Sequence, residues 1–173
     1  MRTLVTGVAG FVGGCLARTF AERGLGELHG ADHLTPERIQ ADEDLNPRLA
    51  GYHMVDVTDA EEVRAWVAEL RPDRIVHLAA QSSGAESIVQ PALTYRVNAL
   101  GALHVLEAAR VEAKEATVLL VGSADVYGMG AKGQRLKEDA PLKPMNPYAL
   151  SKAAQDALGE LYAGSYGLRV VRT

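Results

Sequence analysis

The chain has 173 residues, a formal net charge of −4 and a hydrophobic content of 47%. This length is enough for one domain with its own apolar core. The acidic balance comes without any block of basic residues, so we expect no nucleic-acid partner. The single cysteine, Cys15, excludes an internal disulfide framework, and the five histidines show no ligand spacing, so no metal site is predicted.

The start of the chain carries no targeting segment that can be recognised. It opens directly with Arg2-Thr3-Leu4-Val5, without the charged leader and apolar core of a signal peptide. No apolar stretch approaches the roughly 20 residues that a membrane-spanning helix needs. We therefore expect a cytoplasmic protein that makes no membrane contact.

The first half of the chain alternates apolar runs of strand length with helical patterns. The predicted elements, in order, are a strand starting at Leu4-Val5, a helix over 11–23 closed by Gly24, a weaker strand over 28–31, a strand over 52–57 and a helix that ends near Leu70. Thr58 and Glu61 fit a capping box at the start of that last helix. The polar stretch 34–49, which contains two prolines, is predicted to be a solvated surface connection.

The second half repeats the pattern. It predicts a strand over 74–80, a helix over 92–113, a strand over 117–122, a helix from Asn146-Pro147 to about Ser165, and a strand over 168–172. Positions expected in the core are Cys15, Trp66, His77 and the stripe Leu93, Val97, Leu100, Leu103 and Leu106. Strands that alternate with helices predict an α/β fold, a Rossmann-type doubly wound parallel sheet with helices on both faces, in a single domain over 1–173.

Three glycines lie between the first predicted strand and the first predicted helix. Gly7, Gly10 and Gly13 are spaced three apart, and Phe11 and Val12 open the helix. The first glycine permits a tight turn, the second lets the backbone approach a pyrophosphate, and the third lets the helix pack against the sheet. The N-terminus of the helix then offers free N–H groups to the phosphates. We therefore predict that these residues bind a dinucleotide.

An acidic residue follows the second predicted strand. Asp32 lies 19 residues after Gly13, where a carboxylate accepts hydrogen bonds from ribose hydroxyls and repels a 2′-phosphate. This predicts NAD as the cofactor, with NADP as the alternative. Asp56 and Val57 follow the third strand and are predicted to lie near the adenine, although Val57 could equally be plain core.

A tyrosine and a lysine are candidates for proton transfer. Tyr148 and Lys152 are four residues apart, so a helix places them on one face. A nearby ammonium favours the phenolate form of a tyrosine, and the same lysine can hold the nicotinamide ribose. Ser123 lies at the carboxyl end of the fifth strand, where ligands bind in sheets of this type. We predict that Ser123 hydrogen-bonds the substrate oxygen that Tyr148 deprotonates.

Taken together, these motifs resemble the extended short-chain dehydrogenase/reductase family, which includes nucleotide-sugar epimerases, dehydratases and reductases. The resemblance covers essentially the whole chain. It implies a catalytic set of Ser123, Tyr148 and Lys152. It also implies cofactor contacts from the segment His77-Leu78-Ala79-Ala80, that is from Leu78, Ala79 and Ala80, and from Asn98 in the long helix.

Within that family, two segments resemble the branch that acts on GDP-mannose and its 4-keto-6-deoxy product. They are 79–83, with Ser82 and Ser83 as the implied substrate contacts, and 144–148. The family's dehydratases carry a glutamate two residues after the catalytic Ser or Thr, and here that position is Asp125, preceded by Ala124. Three reactions therefore stay open, with 4-keto reduction and 4-epimerisation ranked slightly above 4,6-dehydration.

The family normally continues well past this length, and its sugar-nucleotide domain comes mostly from the later half. We therefore expect that the C-terminal substrate domain is missing, that NAD binding is easier to obtain than turnover, and that the last strand leaves apolar surface exposed. The resemblance also implies a homodimer through the long helix and the helix of Tyr148, and a substrate that is a GDP-linked nucleotide sugar. Two alternatives remain. One is a non-catalytic dinucleotide-binding regulator, which usually lacks the Tyr/Lys pair. The other is an oxidoreductase for a sugar without a nucleotide.

Overall fold

The computed structural model describes residues 1–129 and 135–173. Its centre is a sheet of six strands in the order β3-β2-β1-β4-β5-β6, and every neighbouring pair is parallel. The strands are β1 (Arg2–Thr6), β2 (Glu27–Asp32), β3 (Gly51–Met54), β4 (Arg74–His77), β5 (Thr117–Leu120) and β6 (Arg169–Arg172). The predicted parallel α/β sheet is confirmed.

Helices cover both faces of this sheet. They are α1 (Phe11–Arg23), α2 (Pro36–Gln40), α3 (Ala60–Leu70), α4 (Gly84–Val89), α5 (Pro91–Tyr95), α6 (Gly101–Glu112) and α7 (Pro147–Tyr166). One apolar cluster packs α3, α6 and α7 against the sheet, and a second packs α1 and the segment after β2 against the other face. The winding is therefore double, as the sequence predicts.

The order of the strands determines where a ligand can bind. The chain winds from β1 outward to β3, then returns to place β4 on the other side of β1 and winds outward to β6. The connections from β1 and β4 therefore leave the sheet in opposite directions, and a crevice opens at the carboxyl ends of these two strands.

The stretch 34–49 is more ordered than predicted. It contains α2 and a 3-10 turn (Asn46–Arg48), and it buries Ile39 and Leu45, which are 2% and 4% exposed, in the cluster with α1. Two apolar side chains six residues apart are enough to anchor a segment that is otherwise polar. Cys15, which the sequence places in the core, is exposed, because α1 turns Gly13, Ala17 and Phe20 toward the sheet instead.

The helix over 92–113 contains an unpredicted irregularity. A π turn (Arg96–Leu100) lies between α5 and α6, and a wider turn rotates the residues that follow it around the helix axis. The predicted stripe is therefore only partly in the core. Leu106 is fully buried, whereas Leu100 is 45% exposed. The expected burial of Trp66 and His77 is confirmed, at 3% and 0% exposed.

Other boundaries differ in detail. The N-cap of α3 is Asp59, whose carboxylate accepts hydrogen bonds from Glu61 N and Glu62 N, and not Thr58. Strands β3, β4 and β5 end earlier than predicted, because the residues after them leave the regular ladder and form loops at the crevice. In the described part of the chain, no helix combines the length and apolar character that crossing a bilayer requires.

Candidate active site

A cleft of about 890 Å³ opens at the carboxyl ends of β1 to β4. Its wall takes in all of the residues predicted to bind the cofactor except Asn98, Tyr148 and Lys152. These lining residues are Gly7, Gly10, Phe11, Val12, Gly13, Asp32, Asp56, Val57, Leu78, Ala79 and Ala80. Ser82, predicted as a substrate contact, also lines the cleft. His33 and Arg96 line it as well, although no sequence motif indicates them.

The floor of the cleft is a turn that tolerates only glycine. Gly7 has φ +70°, and a Cβ added there would lie 2.7 Å from Ala79 N, in the next strand's loop. A Cβ on Gly13 would lie 2.4 Å from Val8 O. Gly10 caps α1 without any side-chain hydrogen bond, so the first N–H groups of the helix are left for another acceptor. The backbone N–H groups of this turn can therefore approach a phosphate group closely.

Asp32 lies at the end of β2 with its side chain 9% exposed. One carboxylate oxygen accepts a hydrogen bond from Ala9 N at 3.2 Å, which ties β2 to the glycine loop. The other accepts from His33 N at 2.9 Å and lies 2.9 Å from His33 Nδ1. Burial, followed by the charge of Asp32, raises the pKa of Tyr52 to about 12, and the Tyr52 hydroxyl lies 2.6 Å from Leu34 O. The carboxylate is therefore held rigidly at the edge of the cleft.

The opposite wall follows β4. Thr6 Oγ1 accepts a hydrogen bond from Ala79 N at 3.2 Å and lies 2.8 Å from His77 Nδ1. Burial, together with the nearby Lys152 charge, lowers the pKa of His77 to about 3, so the ring is neutral. Thr6 thus fixes the backbone of the segment 78–80 against the glycine turn, a role that the sequence did not indicate.

Asn98 lies behind this wall, with no exposed surface. Its Oδ1 accepts from Gln81 N at 2.8 Å, and its Nδ2 donates to Gln81 O at 3.0 Å and to Ser151 Oγ at 2.9 Å. Ser151 in turn donates to Tyr148 O at 2.7 Å. Because both N–H groups of the amide are engaged within the protein, Asn98 connects the cleft wall to α7. A direct contact with the cofactor stays a prediction from the resemblance.

The helix α7 presents Tyr148 and Lys152 one turn apart. Asn146 caps it by accepting from Ala149 N at 2.7 Å, with Pro147 in the first position, as predicted. Lys152 is 4% exposed, and its Nζ donates to Val121 O at 2.9 Å and to Gln155 Oε1 at 3.0 Å. Burial lowers the pKa of Lys152 to about 8. Val121 follows β5, so the amine lies at the carboxyl end of that strand.

Ser123 comes two residues later in the same segment. Its Oγ accepts from Asp125 N at 3.2 Å and so caps a 3-10 turn (Ala124–Tyr127), while Asp125 itself is exposed. Ser83 likewise caps α4 by accepting from Glu86 N at 3.1 Å. The structure therefore brings Ser123 and Lys152 to one edge of the sheet, beside but outside the lining of the cleft.

The strand order, the glycine turn at the start of α1 and the acid at the end of β2 define a Rossmann-type dinucleotide-binding domain. Sequence comparison gives the family. A family model described as GDP-mannose 4,6 dehydratase matches residues 4–173, and the chain belongs to this family of the extended short-chain dehydrogenase/reductases. The resemblance seen in the sequence is confirmed.

The chain is similar to curated enzymes with several sugar specificities. It is 34% identical to a UDP-glucose 4-epimerase of Mycolicibacterium smegmatis, covering 97% of this chain and 53% of that protein. It is 34% identical to a dTDP-glucose 4,6-dehydratase of Neisseria meningitidis, covering 99% and 52%. It is 33% identical to GDP-mannose 4,6 dehydratase 2 of Arabidopsis thaliana, covering 95% and 47%. The chain therefore spans about half the length of these relatives.

Comparison with solved structures also matches this chain to about half of longer enzymes. The fold matches the Thermus thermophilus UDP-glucose 4-epimerase in complex with NAD, with a TM-score of 0.89 and 35% identity over 99% of this chain and 54% of that one. It matches the Streptomyces venezuelae dTDP-glucose 4,6-dehydratase, solved with NAD bound, with a TM-score of 0.85 and 33% identity over 99% and 54%. Both likenesses cover almost all of this chain and about half of each longer enzyme.

Proposed function

We propose that this chain is the NAD-binding half of a nucleotide-sugar enzyme that carries out redox chemistry at C4 of the sugar. The observation that carries the proposal is the glycine turn, in which Gly7 leaves no room for a Cβ against Ala79 N. A glycine backbone this close to the loop after β4, at a helix N-terminus that has no side-chain cap, leaves space and free N–H groups for a bound phosphate.

The residues present fit a nicotinamide dinucleotide. The turn from Gly7 to Gly13 would hold the pyrophosphate, Asp32 the adenosine ribose, and Asp56 with Val57 the adenine end. Leu78, Ala79 and Ala80 would form the wall beneath the nicotinamide half. When bound, the nicotinamide takes up or returns the hydride of the sugar carbon. The NAD complexes of the similar epimerase and dehydratase support this cofactor.

Proton transfer is the task of α7 and the end of β5. In the proposed mechanism, Tyr148 removes the proton from the sugar 4-hydroxyl or returns it, and Ser123 donates a hydrogen bond to the same oxygen. Lys152 stabilises the phenolate by its positive charge and binds the nicotinamide ribose. General acid–base catalysis of this kind contributes about 10²–10⁴-fold.

The substrate is proposed to be a GDP-linked sugar, because the matching family model is that of GDP-mannose 4,6 dehydratase. Ser82 and Ser83 are the proposed sugar contacts on this half. Relatives that are epimerases and dehydratases of UDP- and dTDP-sugars are equally similar, so reductase, epimerase and dehydratase chemistry all stay open. Asp125 is exposed and lies two residues after Ser123, the sequence position at which the family's dehydratases carry a glutamate.

A homodimer is proposed through α6 and α7. Both helices expose apolar side chains, at 49% for Val111, 48% for Leu150 and 50% for Leu161. Exposed apolar positions on neighbouring helices favour a second copy of the chain as the covering partner.

The cofactor assignment is tested by the choice between NAD and NADP. Asp32→Asn keeps the shape of the side chain and removes its negative charge. We expect NAD binding to weaken and NADP binding to strengthen, so that the ratio of the two dissociation constants shifts by about tenfold or more, as the loss of one charge-assisted hydrogen bond implies. Isothermal titration of both cofactors measures this.

The matched control is Asp56→Asn, an exposed acid that lines the same cleft. It should leave the NAD/NADP ratio unchanged, because Asp56 is proposed at the adenine end and not at the 2′ position. If the unaltered protein binds NADP more tightly than NAD, the role given to Asp32 is wrong.

A further inference from the structure

A buried glutamine that no motif includes lies beside Lys152. Gln155 is 1% exposed and lies three residues after Lys152 on α7. Its Oε1 accepts from Lys152 Nζ at 3.0 Å, and its Nε2 donates to Val121 O at 3.0 Å. The same Val121 carbonyl accepts from Nζ at 2.9 Å. Three groups therefore form a closed triangle of hydrogen bonds at the end of β5.

A fully buried amide is costly unless its polar atoms are paired, so the triangle accounts for the presence of a glutamine here. For Lys152 the consequence is different. An ammonium group has three N–H donors, of which two are used in the triangle and one is left. The two acceptors fix where the nitrogen lies and leave one donor for a further partner.

The charged state of Lys152 depends on these neighbours. Burial disfavours the ammonium form of Lys152. The ionisable groups near the amine do little to counteract this effect. His77, from β4, is neutral because burial lowers its pKa to about 3. Tyr148 lies one turn away on the same helix, α7. The oxygens of Val121 and Gln155 are the polar acceptors that hold the ammonium form.

We propose that Gln155 is a positioning residue: it holds the Lys152 ammonium against the Val121 carbonyl, in its charged form, with one N–H directed to a ribose hydroxyl of the bound dinucleotide. The inference rests on the proposed function, because the ribose belongs to the proposed cofactor. It adds a residue to the site that the family resemblance did not supply. Helical spacing was the available signal, since a residue three positions after Lys152 shares its face.

The direct test is the titration of the Lys152 amine itself. The 13Cε resonances of labelled lysines are followed against pH, and Lys152 is assigned from the spectrum of Lys152→Arg. In the unaltered protein the pKa of Lys152 lies near 8, lowered by burial. Gln155→Met keeps the length of the side chain and removes the acceptor, so the midpoint should fall by about one unit, the size of one lost hydrogen bond to a charged group.

Gln155→Glu gives the opposite sign. A carboxylate next to the ammonium should raise the Lys152 midpoint above that of the unaltered protein. This variant also keeps the test decisive if Gln155→Met folds poorly. The matched control is Tyr162→Phe, a change at a buried position of the same helix whose hydroxyl bonds Glu107 and not Lys152. It should lower stability without moving the Lys152 midpoint.

NAD affinity supplies the second readout. For Gln155→Met we expect NAD binding to weaken more at pH 8.5 than at pH 6.5, because at the lower pH the amine is protonated in both proteins. A midpoint that is unchanged in both Gln155 variants, or NAD affinity that falls equally at both pH values, overturns the inference. If the unaltered protein does not bind NAD, the proposed function fails, while the lysine titration still decides whether Gln155 holds the amine.

Discussion

At the scale of single residues, the proposed reaction depends on Tyr148 and on the groups that surround it. Its backbone carbonyl accepts from Ser151 Oγ at 2.7 Å, and Lys152 lies one turn further along α7 with its amine tied to Val121. The hydrogen bond from Ser151 therefore fixes the backbone of Tyr148. The hydrogen bond to Val121 fixes the position of the Lys152 amine. In the proposed mechanism, the phenol of Tyr148 is the group that exchanges a proton with the sugar hydroxyl.

Tyr148→Phe removes that proton and leaves the packing of the ring. We expect turnover of a nucleotide sugar to fall by about 10²–10⁴-fold, the usual contribution of a general acid–base group. NAD affinity should change little, because Tyr148 lies outside the lining of the cleft. Turnover of GDP-mannose, UDP-glucose and dTDP-glucose is measured beside an NAD titration. A variant that retains the full rate would show that Tyr148 is not the base.

At the scale of elements, the cleft is assembled by connections between helices and loops. The hydrogen bonds of Asn98 reach from the π turn to Gln81 in the cleft wall and to Ser151 on α7. π turns of this type frequently occur at functional sites. Here the turn places a fully buried amide between the wall of the proposed cofactor site and the helix of the proposed base, so hydrogen bonds of Asn98 connect these two parts of the site.

Ser151→Ala tests this coupling. It leaves one N–H of Asn98 buried without its acceptor, so the free energy of unfolding should fall by about 1–3 kcal/mol. Ser165→Ala, at an exposed position of the same helix, is the control and should change stability little. Urea denaturation measures both. An equal effect of the two substitutions would mean that the Asn98–Ser151 bond contributes nothing specific.

The elements differ in how well the sequence predicts them. All six strands and the helices α1, α3 and α7 follow from apolar runs, glycines and prolines, because those patterns report local conformation. The segment 34–49 is more ordered than predicted, because Ile39 and Leu45 are buried although most residues around them are polar. The sequence also does not predict the π turn or the Asp59 cap, because each depends on hydrogen-bond geometry that composition does not encode.

The candidate site shows the same division. The sequence indicates the glycine turn and Asp32, which line the cleft, because backbone geometry and charge restrict the residue types at these positions. The sequence does not indicate a role for Thr6, Ser151 or Gln155. Each of them acts through a partner that is distant in sequence or through the orientation of its side chain. The exposed state of Cys15 illustrates the limit, because residue type alone could not say which face of α1 meets the sheet.

At the scale of the whole molecule, the fold and the family agree on a cofactor-binding unit. The chain matches the family model over residues 4–173 and spans about half of the curated relatives, 53% of the epimerase and 52% of the dehydratase. The cleft at the carboxyl ends of β1 to β4 is lined by described residues between Gly7 and Val97. The edge strand β6 exposes Val171 at 48%.

The most direct measurement of the central claim is a calorimetric titration of NAD into this chain and two glycine variants. Gly7→Ala forces a side chain into a left-handed turn 2.7 Å from Ala79 N, whereas Gly14→Ala, on the next helix, places its Cβ in open space. We expect the unaltered chain and Gly14→Ala to bind NAD alike, and Gly7→Ala to bind at least about tenfold more weakly. No heat of binding in the unaltered chain, or equal binding by Gly7→Ala, would contradict the account.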